Sequence, residues 1–114
     1  MASRLFRHVR FAGLLLAAAA ATPARADDMP VIKVEMRDGV ILPAVIEVPA
    51  NTRFKLEISN TGQSPVEFES TEFKREKALA AGSTSAIVFR TLDAGTYQVF
   101  DDFHPEAKAT LVAK

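Results

Sequence analysis

From Val31 to the C-terminus, apolar residues recur at every second position, and β-branched and aromatic types dominate them. A period of two places alternate side chains on opposite faces of an extended chain, so the pattern predicts strands and not helices. Residues 31–36 read as a first strand, and Arg37-Asp38-Gly39 supplies a turn before 40–42. Pro43 and Pro49 bracket a short strand at 44–48, a placement suited to a sheet edge because proline has no amide to give to a ladder. The clearest alternation is Phe54-Lys55-Leu56-Glu57-Ile58-Ser59, ended by the turn residues Asn60-Thr61-Gly62. Residues 65–70 follow as a strand, with Val66 and Phe68 on one face and Glu67 and Glu69 on the other. The charged stretch 72–77 has no apolar stripe and is expected to be a loop or a short helical turn. Ala81-Gly82 and Asp93-Ala94-Gly95 turn the chain into strands at 85–89 and 96–100, and a last strand lies near 109–113. Short strands with turns about every ten residues predict an all-β fold, a Greek-key β-sandwich of two sheets.

The N-terminus breaks this pattern. Arg4, Arg7, His8 and Arg10 form a basic head, residues 11–21 are an apolar run, and Ala24-Arg25-Ala26 is a small-x-small cleavage pattern. Residues 1–26 therefore read as a signal peptide cut after Ala26, leaving a domain at 27–114 and placing it in a bacterial periplasm. The competing reading, a membrane anchor, needs roughly 20 apolar residues, and the run is shorter and alanine-rich.

Charge and cysteine usage narrow the function classes. Four of the 14 basic residues and none of the 14 acidic ones lie in the first 26 positions, so residues 27–114 carry 10 minus 14, a net charge of −4. Recognition of a nucleic-acid backbone rests on Lys and Arg clusters, which this balance does not supply. Cations suit it better. With no cysteine, the chain cannot use a disulfide, a nucleophilic thiol or a thiolate-held metal, and the domain must be stabilised by core burial.

The candidate chemistry is metal binding. Asp101-Asp102-Phe103-His104 gathers two carboxylates and the only imidazole of residues 27–114. Such oxygen-rich sites with one imidazole suit Fe(II), Fe(III), Mn(II) or Cu(II) and disfavour Cu(I). Glu67 and Glu69 would complete the sphere if the loop before them lies beside this run, and Met36 or Met29 could add a soft ligand. Each has a plainer alternative. His104 could be a loop fastener, Asp101 and Asp102 turn residues, Glu67 and Glu69 the solvated face of an edge strand, Met36 a core or rim residue, and 72–77 a self-paired charge run. No hydrolytic triad and no Gly-rich phosphate loop is evident, so an independent enzyme is not expected.

One family resemblance is specific. Ala94-Gly95-Thr96-Tyr97, then Asp101, His104-Pro105 and Lys108-Ala109-Thr110-Leu111-Val112, resembles the C-terminal copper loop of small cupredoxins. His104 stands at that family's histidine ligand, but Asp101 stands where the cysteine would be and Ala107 where the methionine would be. Asn60 and Pro65 match the frame of the other histidine, whose position holds Val66. The resemblance implies a cupredoxin-like sandwich with three of four blue-copper ligands missing, hence no type 1 blue copper. It also implies a structural Tyr97 at a sandwich corner.

The runs Phe68-Glu69-Ser70, Phe73-Lys74-Arg75-Glu76 and Phe100-Asp101-Asp102-Phe103-His104-Pro105 are similar to EfeO-type cupredoxin-like domains and to small periplasmic partners of bacterial iron permeases. That likeness implies iron or Cu(II) held at a non-blue site, and help with ferrous iron oxidation or delivery. It also implies an inner-membrane iron permease and other periplasmic components as partners. A homodimer remains open. The other two readings are a Cu(II) carrier unrelated to iron, and a metal-free module whose apolar end at Phe100 and Phe103 docks a partner.

Overall fold

The computed structural model describes residues 29–114 and, before them, only Gly13. The signal-peptide reading of residues 1–26 and its cut after Ala26 lie outside the described stretch. Among the described residues nine strands follow one another: β1 (Val31–Arg37), β2 (Val40–Leu42), β3 (Val45–Val48), β4 (Phe54–Asn60), β5 (Val66–Ser70), β6 (Arg75–Leu79), β7 (Thr84–Phe89), β8 (Gly95–Asp101) and β9 (His104–Ala113). They form two sheets, ordered β2-β1-β4-β7 and β3-β9-β8-β5-β6. Both sheets are mixed, because β1 runs parallel to β4 and β3 parallel to β9 while the other pairs are antiparallel. The expected all-β sandwich is the observed one.

The period-two pattern builds the core directly. Phe54, Leu56 and Ile58 of β4, Val66 and Phe68 of β5, Val99 of β8 and Leu111 of β9 are fully buried between the sheets. Phe54 stacks on Phe89 across the β4–β7 pair, with ring centroids 4.8 Å apart. Phe54→Ala is expected to cost about 3–5 kcal/mol, read as a lower urea midpoint at unchanged slope. Tyr97 donates its hydroxyl to the Asp93 carbonyl at 2.8 Å, the corner bond expected of it.

Turn chemistry is where expected. Asp38 and Gly39 both have positive φ (40° and 87°) in the β1–β2 turn, and Gly82 (φ 76°) turns the chain into β7. β3, bracketed by Pro43 and Pro49, is an edge strand that pairs only with β9.

Three expectations change. Residues 72–77 are not a loop or helical turn throughout: from Arg75 onward they form β6, the edge strand beside β5. Only Leu79 of β6 is buried, so no apolar alternation announces the strand. β5 is accordingly an inner strand, flanked by β6 and β8. The last strand begins at His104 and not near 109, because Asp101 pairs with His104 across a two-residue turn, Asp102-Phe103.

Candidate functional site

Three connections meet at one end of the sandwich: the β1–β2 turn at Asp38, the β4–β5 loop at 61–65 and the β8–β9 turn at 102–103. Asn60, buried at the end of β4, organises the loop. Its Nδ2 donates to the Ser64 and Leu79 carbonyls at 2.9 and 3.2 Å, and its Oδ1 accepts from the Gly62 amide at 3.0 Å. Asp38 Oδ1 accepts from the Gln63 amide at 3.1 Å, which ties the β1–β2 turn to the same loop. Gly62 makes room for this approach, because a Cβ there would lie 2.6 Å from Asp38 Oδ1 and the Asp38 side chain would have to shift.

Asp101 and His104 are brought together, and they engage each other. Asp101 is 1% exposed. Its Oδ1 accepts from the Glu67 amide at 2.9 Å and from the Phe103 amide at 3.0 Å, and its Oδ2 lies 2.8 Å from His104 Nδ1. A carboxylate only accepts, so Nδ1 carries the proton of that bond. The ring's other nitrogen, Nε2, lies 3.4 Å from Ser64 Oγ.

Ser64, His104 and Asp101 thus stand in the order of a hydrolytic relay, an arrangement the sequence does not announce. Yet 3.4 Å exceeds the roughly 2.6–3.2 Å that joins a nucleophile to its base, and the hydroxyl is also 3.5 Å from Asp38 Oδ1. Two surface clefts, one beside Glu69 and Glu76 and one between β1, Pro43 and the end of β4, are lined by neither Ser64 nor His104.

A second group lies on the outer face of the five-stranded sheet. Glu67 and Glu69 alternate with buried Val66, Phe68 and Ser70, so both point outward, as their spacing of two requires. Glu69 pairs directly with Glu76 of β6. Carboxylate oxygens of Glu67, Glu69 and Glu76 lie within 4.8 Å of one another. Among the described residues the ion pairs are Arg37–Glu35, His104–Asp101 and Lys114–Glu47, so none of the three glutamates has a cationic partner.

Like charges placed opposite each other in a ladder destabilise it, and the titration of the group reflects this. Partial burial, then Asp102, then Glu76 and Glu69, push the Glu67 carboxyl above its ordinary value. Glu69 is raised by burial, by Asp102 and by Glu76, against a smaller opposing hydrogen bond from Glu67. Asp102 joins through the backbone as well, its amide donating to the Glu67 carbonyl at 2.9 Å.

Of the residues singled out in the sequence, Glu67 and Glu69 therefore belong to the outer cluster with Asp102 beside it, and Asp101 and His104 to a pair in which Asp101 is buried and His104 is partly exposed. Met36 is fully buried within the hydrophobic core, the plainer of the two roles considered for it. Phe103 is half exposed at the β8–β9 turn. Glu76, which the charge run concealed, is the residue sequence reasoning missed. The signal that could have found it is the cross-strand register of a β5–β6 hairpin.

Residues 10–113 match the family described as Cupredoxin-like domain. The chain belongs to that family. The cupredoxin-like chain is also 32% identical over 80 residues to an uncharacterized protein of Rickettsia prowazekii (strain Madrid E). That match covers 70% of this chain and spans only 64% of the length of that relative. Solved structures share the fold at low identity. Auracyanin B superposes with a TM-score of 0.64 at 16% identity, over 82% of this chain and 92% of that one. Amicyanin from Paracoccus versutus gives 0.57 at 21%, over 85% and 89%. The metal-binding domain of the Streptococcus pneumoniae D39 Cu(I)-exporting P-type ATPase CopA, solved with Cu(I), gives 0.67 at 12%, over 80% and 91%.

The residues of this cupredoxin-like chain do not fit a type 1 copper centre. There is no cysteine, Val66 and Ala107, which the sequence resemblance sets at two ligand positions, are buried and apolar, and Asp101, which it sets at the cysteine position, has both oxygens engaged.

Proposed function

We propose that this protein is a periplasmic accessory of an iron-uptake system that holds an oxygen-preferring cation, iron or Cu(II), on Glu67, Glu69 and Glu76, with Asp102 beside them. The observation that carries the reading is the convergence of three carboxylates within 4.8 Å with no cationic partner among the described residues. A divalent or trivalent ion relieves that repulsion, and carboxylate oxygens suit Fe(II), Fe(III), Mn(II) or Cu(II). The net charge of −4 over residues 27–114 favours cations generally. The cleft lined by Glu69, Ser70, Thr71, Lys74, Arg75 and Glu76 lies beside the cluster and leaves it open to exchange with a partner. Membership of a family whose fold is shared with copper proteins supports metal handling, and the likeness to EfeO-type domains supports iron and an inner-membrane permease as the recipient. The protein presents the ion, assisting ferrous iron oxidation or delivery, and performs no turnover of its own. Asp101 and His104 stand outside this coordination sphere because their facing atoms are bonded to each other.

The melting temperature with and without Cu(II), Mn(II) and anaerobic Fe(II) tests the reading. An ion that binds only the folded state adds about 2.7 kcal/mol at a hundred times its Kd, a rise of several degrees or more for a domain of this size. Glu69→Gln, at the centre of the cluster, is expected to lose most of that rise. Unchanged melting with every ion would overturn the proposal.

A further inference from the structure

We infer that the position where cupredoxins hold copper is closed in this chain by Asp101 and His104 acting on each other, a protein-only clasp that does the metal's joining work. The clasp ties Asp101 of β8 to four other segments. From the buried Asp101 carboxylate, Oδ1 reaches the β5 backbone at Glu67 and the turn at Phe103, and Oδ2 reaches His104 on β9. The imidazole then faces Ser64 in the β4–β5 loop, which Asn60 and Asp38 fasten in turn. The connections at this end of the sandwich are thereby joined by the protein's own hydrogen bonds.

Two features keep a metal out of that position. An ion there would have to displace the Nδ1 proton, and break a bond inside a site where Asp101 is 1% exposed and has no oxygen free. It would also find only two donors, since Val66 and Ala107 contribute aliphatic surface (0% and 2% exposed). Two donors do not complete even a four-coordinate sphere. A buried carboxylate whose partners are all satisfied is therefore better kept as it is. The consequence is a division of labour: the inner position stabilises the fold without metal, and any cation is carried on the outer face.

The experiment is NMR of the purified full chain, chelator-treated and then with one equivalent of diamagnetic Zn(II), comparing wild type with Asp101→Asn and His104→Ala. In the wild type a slowly exchanging His104 Nδ1 proton is expected before and after Zn(II), because that nitrogen is bonded to Asp101 and any metal reaching the ring must take Nε2. His104→Ala identifies the signal by its loss, and in Asp101→Asn, which keeps an oxygen for the two amides, the slow signal is expected to disappear. A rapidly exchanging Nδ1 proton in the wild type, or its displacement by Zn(II), would overturn the clasp. Failure of Zn(II) to bind the wild type at all would count against the outer cation site and leave the clasp standing.

Discussion

Replacing Asp101 with alanine is expected to lower folding stability by about 3 kcal/mol, or on the order of 15 °C in melting temperature for a domain of this size. The substitution removes one acceptor group and orphans three donors: the Glu67 amide, the Phe103 amide and His104 Nδ1. His104, about a quarter exposed in its side chain, can turn toward water. The Glu67 amide cannot, because it lies in an inner strand next to a fully buried residue, and an unpaired buried donor carries its whole desolvation cost. Asp101→Asn keeps an oxygen for the two amides but turns an NH2 group toward the ring nitrogen, so a smaller loss of about 1 kcal/mol is expected. Urea denaturation of the three proteins side by side measures both. A loss below about 0.5 kcal/mol for the alanine variant, the range of an ordinary surface change, would refute the role given to this carboxylate.

The second large effect concerns Glu67→Gln/Glu69→Gln/Glu76→Gln combined. Glu67 and Glu69 have folded-state pKa values above the reference of 4.5, so the folded protein binds these protons more tightly than the unfolded chain does. The contribution of these two carboxyls to stability is then greatest at acid pH and declines as pH rises from about 4.5 through the raised values. Above that window the cost of the ionised cluster is fully present. The triple variant should therefore melt higher than wild type at neutral pH without metal, with no such decline between the two values. In the same variant cation affinity should fall by at least about 100-fold, since loss of even an outer-shell partner costs about 10–100-fold. Wild-type affinity should weaken as pH falls through that window, because protons compete for the same oxygens. Calorimetric titration at several pH values reads both trends. Retention of wild-type affinity by the triple variant would place the ion elsewhere.

The alternation Phe54-Lys55-Leu56-Glu57-Ile58 specifies a half-buried strand, and β4 is that strand. Val66 and Phe68 specify the buried face of β5 and thereby send Glu67 and Glu69 outward together. The Asp38-Gly39 and Ala81-Gly82 turns are equally local, as are the absence of cysteine and the exclusion of a blue-copper centre that follows from it. Each depends on the geometry of a few consecutive residues, which the chain carries wherever it folds.

Only the tertiary structure decided the rest. The partner of Glu69 is Glu76, which became visible once β6 paired with β5, and β6 has no sequence signal because an edge strand with a single buried residue needs no apolar alternation. Ser64 meets His104 from 40 residues away, and the parallel pairings β1–β4 and β3–β9 likewise join segments that no turn residue connects. Asp101 could be read in sequence as a ligand or as a turn former. Three donors converging from β5, the turn and β9 made it the centre of a buried clasp. Hydrogen-bond partners of this kind are chosen by where the sheets close on each other, a long-range outcome that side-chain spacing along the chain does not encode.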